Sequence, residues 1–153
     1  MSKQIVGEPQ EENDLFFTCS LIEYIARKTK NSKKLIIEKL GEKRIEKIYK
    51  LAEVYHSEDI EQASDEFIKE AKIENGDYDN IITCKYRIPT YWEIGKVYKR
   101  LIIMVDDNPN NYIKTLMQVL SSWIIEKIDN YNSSMYYENP DYIYVCYIEG
   151  KVL

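Results

Sequence analysis

Apolar residues recur at three- and four-residue spacing through most of this chain, with polar caps between the runs, and that pattern restricts it to packed helices. Leu15, Cys19, Ile22 and Ala26 form one stripe behind Asn13, a good N-cap, in a helix ending near Lys30. Phe16, Phe17, Leu21 and Ile25 widen that stripe, as a central helix requires. Ser32 caps a short second helix that Gly41 terminates, and residues 42–55 carry Ile45, Ile48, Leu51, Ala52 and Tyr55 on the face of a third. Ser57 caps a fourth, with Ile60, Ala63, Phe67 and Ala71 at helical spacing, and Asn75-Gly76 marks a turn.

Thr90-Tyr91-Trp92-Glu93 reads as a capping box, opening a helix to about Asp106 with Ile94, Val97, Leu101 and Val105 inward. Gly95 inside it costs about 1 kcal/mol against alanine, which points to a close approach of a second helix. Pro109 takes the first position of the next helix, which presents Ile113, Leu116, Leu120 and Ile128. Residues 142–148 pull both ways. Asn139-Pro140-Asp141 and Gly150 cap a helix, whereas Tyr142 to Ile148 has strand composition and could pair with 81–88. The caps decide for helix. The expected fold is all-α, a compact bundle of about six or seven helices, with that short two-stranded element as the alternative. Residues 1–12 have no period and read as a disordered lead-in to one helical domain over 13–153.

The chemistry-bearing residue types exclude more than they propose. Cys19, Cys84 and Cys146 form no C-x-x-C pair and read as small buried hydrophobes. The five glycines match no phosphate-binding spacing, and the acids form no calcium loop, so neither metal nor cofactor is expected. The one histidine, His56, has no nucleophile beside it and reads as a helix-junction residue; catalysis there would need a cleft bringing in Glu93 or Asp141. The longest apolar runs, such as 101–105, are too short to span a bilayer, and the polar, acidic first residues carry no leader pattern. The expectation is a non-enzymatic cytoplasmic protein.

Charge is laid out unevenly. Residues 23–50 hold ten basic and four acidic side chains, a local excess of six on a chain whose net charge is −5, and residues 53–79 are strongly acidic. Helices meeting at Leu40-Gly41 outline a helix-turn-helix, with Lys43, Arg44 and Lys47 as candidate nucleic-acid contacts. A sequence pI of about 5.1 disfavours DNA and favours a solvated basic face. Tyrosine is the other anomaly. Six of fourteen fall at Tyr131, Tyr136, Tyr137, Tyr142, Tyr144 and Tyr147, in the last 23 residues, and tyrosine is enriched at interfaces. The loop 131–140 has the composition of a paratope, so Tyr131, Tyr136, Tyr137 and Tyr142 are the candidate partner-binding residues.

Residues 13–30, 47–57, 91–102 and 131–140, covering nearly the whole chain after the lead-in, resemble a family of small uncharacterised bacterial proteins. Such proteins accompany an ADP-ribosyltransferase-like toxin and another short helical protein. The resemblance implies an antitoxin or accessory role with a protein partner, and carries over no catalytic or binding residue. The alternative remains a DNA-binding regulator using the basic stretch.

Overall fold

The computed structural model describes residues 9–153, which form an all-α fold of eight helices with no strand among the described residues. Helix α1 (Gln10–Thr29) is the central element expected. Leu15, Cys19, Leu21, Ile22 and Ile25 are all fully buried, so more than one face is covered. It begins three residues before Asn13, with Pro9 as N-cap, because Glu11 and Glu12 suit the positive end of the helix dipole. The expected lead-in is therefore corrected at residues 10–12, and its remainder over 1–8 lies outside the described residues.

Helix α2 (Lys33–Lys50) starts at Ser32, whose side chain accepts from Leu35 N, and bends at Gly41, where φ is 73° and ψ 166°. The glycine thus breaks the helical backbone between two runs, at the boundary expected. A break at Leu51 then sets off α3 (Ala52–Ser57). The next cap is Asp59 instead of Ser57, since Ser57 turns its hydroxyl back to Val54 O at 2.7 Å, and α4 (Ile60–Ala71) follows.

The expected turn at Asn75-Gly76 closes against α1: Gly76 N donates to Thr29 O and Tyr78 N to Lys30 O. Residues 81–88 are turn and loop. The capping box at Thr90 and Glu93 is complete and opens α5 (Tyr91–Val105). Here α5 packs tightly against α1 at Gly95. A Cβ built on Gly95 would lie 3.0 Å from the Ser20 Cα, and the buried Ser20 hydroxyl facing it has no hydrogen-bond partner.

Pro109 opens a 3-10 turn (Pro109–Asn111) that leads into α6 (Tyr112–Leu120). The single helix expected to Ile128 is broken at Ser121-Ser122. Ser122 bonds Val119 O through its side chain, and α7 (Ile124–Ile128) follows as a short piece. A second 3-10 turn (Met135–Tyr137) leads to α8 (Pro140–Glu149), which Asn139 caps and Gly150 ends at φ 77°. The two-stranded alternative pairing 81–88 with 142–148 is thereby corrected: capping outweighs the strand composition of α8. Helix α8 packs on α5 through Ile143 and Cys146, while Val145 and Ile148 remain exposed.

Candidate functional site

Beneath the tyrosine-rich end lies a sealed group of charges. Glu23 and Arg27 stand one turn apart on α1, and Arg27 Nε donates to Glu23 Oε2 at 2.6 Å. Lys33, in the first turn of α2, places Nζ 2.5 Å from Glu23 Oε1 and 2.9 Å from Asp129 Oδ2, just past α7. The contact of Glu23 Oε1 with the ammonium is a close pairing of opposite charges. Tyr98 of α5 donates its hydroxyl to Asp129 Oδ1. Tyr131 donates to Glu23 Oε2 at 3.0 Å and accepts from Arg27 Nη2 at 3.1 Å. Glu23, Lys33, Asp129, Tyr98 and Tyr131 are all buried. Three helices, α1, α2 and α5, and the 129–131 turn are joined through this group.

The charges are unequally compensated. Burial alone would raise the Glu23 carboxyl, but Lys33 and Arg27 together outweigh it and hold Glu23 below the usual carboxylate range. Burial raises Asp129, which has only Lys33 as a cation and Glu23 nearby as a repelling charge. Burial works against the Lys33 ammonium, yet Asp129 and Glu23 hold its affinity for a proton above the ordinary lysine value. Desolvation also drives the Tyr98 and Tyr131 hydroxyls upward. A lysine kept charged in this way is no nucleophile. The arrangement acts as a clamp.

The clamp carries a chain of rings to the surface. Buried Tyr131 meets Tyr136 edge to face at 5.5 Å, and Tyr136 meets Tyr137 in the same manner at 4.9 Å. Tyr137 emerges 67% exposed. Tyr136 and Tyr137 form a ridge between two depressions. One, of about 320 Å³, is lined by Val97, Arg100, Leu101, Pro140 and Ile143; the other, of about 350 Å³, by Tyr86, Asn132 and Ser134. Asn132 ties the second to the loop 81–88, its Oδ1 accepting from Lys85 N at 2.7 Å and its Nδ2 donating to Thr83 O at 3.0 Å. Tyr86, on that loop, is 69% exposed.

The four candidate tyrosines therefore separate. Tyr136 and Tyr137 share the ridge, Tyr131 is withdrawn into the clamp, and half-buried Tyr142 donates to Leu153 O at 2.6 Å. Tyr86 belongs to the face, and the tyrosine count near the C-terminus did not reach it. The basic candidates lie elsewhere. Arg44 Nε bonds Glu70 Oε1 at 3.1 Å, Lys47 Nζ is 4.0 Å from Glu70 Oε2, and Lys43 is exposed. The acidic α4 thus neutralises part of the α2 basic face.

His56 is exposed and its ring stacks on Phe17 at 5.2 Å and tilts against Trp92 at 5.5 Å. Glu93 is engaged instead by Arg87 and Thr90, which hold its carboxyl down at about 2. No metal-holding group of acids, histidine and cysteines occurs among the described residues, and no helix is long and apolar enough to cross a membrane. Compared with known proteins, the chain matches no family model, no curated protein and no solved structure.

Proposed function

We propose that this chain is a non-enzymatic interaction module that holds a protein partner on the face built from Tyr86, Tyr136 and Tyr137. The observation that carries the reading is the ridge itself, an exposed Tyr137 between two depressions, braced through Tyr136 and Tyr131 by a sealed charge clamp. A rigid aromatic side chain presented on a braced turn loses little entropy on binding, which suits it to anchor an interface.

The biological form of the reading is an antitoxin or accessory subunit that neutralises an ADP-ribosyltransferase-like toxin, as the family resemblance implies. The DNA-reading alternative gains nothing from Arg44 and Lys47, whose charge Glu70 shares. Co-expression with a toxin of that class encoded beside the protein tests the proposal. The wild type is expected to co-purify with the toxin and restore growth, and Tyr137→Ala with Tyr86→Ala to do neither. Absence of both complex and rescue with the wild type sinks it.

A further inference from the structure

Accepting the tyrosine ridge as the partner surface, we infer that the segment it takes is an acidic peptide bearing an aliphatic side chain. The depression beside Tyr137 is lined by the aliphatic Val97, Leu101, Pro140 and Ile143 and by the rings of Tyr136 and Tyr137, with Arg100 and Glu138 also in its lining. At about 320 Å³ it is at the small end of the roughly 300–1,000 Å³ of pockets that enclose a whole small molecule. That is the scale of a slot for a side chain or two.

Charge selects the peptide's sign. Glu93, Lys96 and Arg100 are all exposed on α5, and Lys96 and Arg100 stand one turn apart. Glu93 is taken by Arg87 at 2.7 Å, so it compensates neither cation. Among the described residues Lys96 and Arg100 enter no ion pair. The groove's own acid, Glu138, accepts from the Ser134 hydroxyl at 2.6 Å and keeps its charge, so Lys96 and Arg100 outnumber it two to one. A partner carboxylate near the slot therefore meets two uncommitted cations, whereas a basic partner meets like charge.

Cations beside exposed tyrosines also suit single-stranded nucleic acid, which stacks its bases on such rings. Two features favour the peptide. Val97, Leu101, Pro140 and Ile143 give the slot an apolar surface that matches an aliphatic side chain, which a nucleotide lacks. Tyr136 and Tyr137 also meet edge to face, leaving no run of parallel rings for successive bases.

The test pans a random 12-residue phage-displayed library against the full chain, with Arg100→Glu protein as counter-selection. The expected winners place two or more acids around a leucine, isoleucine or valine. A synthetic fluorescein-labelled winner, followed by anisotropy, is expected to weaken about tenfold with Arg100→Glu and with Tyr137→Ala. It should weaken less with Arg100→Gln, and also as salt rises. Enrichment of basic or neutral sequences, no enrichment, or a winner indifferent to Arg100→Glu overturns the inference. So does tighter binding of labelled dT12 or rU12 to this face, or a self-association that Tyr137→Ala abolishes. A co-expressed partner that is lost with Tyr137→Ala but kept with Arg100→Glu removes the acidic chemistry and leaves the surface standing. A partner indifferent to Tyr137→Ala removes the surface itself.

Discussion

Lys33 Nζ lies 2.5 Å from Glu23 Oε1, and both side chains are closed off from solvent at the junction of α1 and α2. Such a pair contributes little over a well-packed apolar one, but breaking it is costly, because the surviving charge stays buried. Lys33→Met is therefore expected to lower stability by about 3–5 kcal/mol, read from urea denaturation. Adding Glu23→Gln and Asp129→Asn to Lys33→Met should recover part of the loss, since the stranded carboxylates become neutral amides. A Lys33→Met protein as stable as the wild type would show that the clamp does not hold the fold.

The two carboxylates of the clamp should respond to pH with opposite signs. Glu23 titrates below its ordinary value in the folded chain, so its contribution is present above about 4.5 and lost as pH falls through the lower folded value. Asp129 titrates above its ordinary value, so its contribution is present at low pH and lost as pH rises through that raised value. Measured from pH 3 to 8, Asp129→Asn should gain stability relative to the wild type as pH rises, and Glu23→Gln should lose it. Parallel slopes for the two variants would contradict the unequal compensation by Lys33 and Arg27.

What could be read from the sequence follows from the range of the interactions involved. Caps are local, so Ser32, the Thr90 and Glu93 box, Asn139 and Gly150 were legible and stand where expected. Ser57 misled because a serine hydroxyl can bond backwards to a carbonyl as readily as forwards to an amide. Gly41 was legible too, since a glycine between two apolar runs supplies the positive φ that interrupts a helix. The clamp was missed, since it joins residues up to 108 positions apart. One local sign was available: Lys33 occupies the same helical stripe as Ile36, Ile37 and Leu40, where an unpartnered lysine would not be buried. Tyr86 was missed because Asn132 brings it to the ridge through a loop contact with no periodicity.

Gly95→Ala should be destabilising, although helix propensity alone favours alanine by about 1 kcal/mol. The added Cβ would stand 3.0 Å from the Ser20 Cα, and backbone cannot give way as a flexible side chain can. Separating α1 from α5 to admit it is expected to cost about 1–3 kcal/mol in the measured unfolding free energy. Ser20→Gly in the same chain should relieve part of that cost, because the added methyl also meets the serine Cβ and hydroxyl. A more stable Gly95→Ala protein would show that the two helices are not locked at this contact.

Asn132→Ala should loosen the partner face without unfolding the helices. Its side chain makes two hydrogen bonds from the 130–134 turn to the loop at Thr83 and Lys85, so alanine releases that loop while the clamp beneath Tyr131 stays intact. The loss of two partly exposed hydrogen bonds is expected to cost about 1–2 kcal/mol. Hydrogen exchange locates the effect: the Lys85 amide should exchange faster in Asn132→Ala, whereas amides at the centre of α1 should keep their wild-type protection. If Tyr86 helps to hold the partner, the same variant should weaken the peptide captured on the ridge, and by less than Tyr137→Ala does. Unchanged exchange at Lys85 would mean that the loop is held by something other than Asn132.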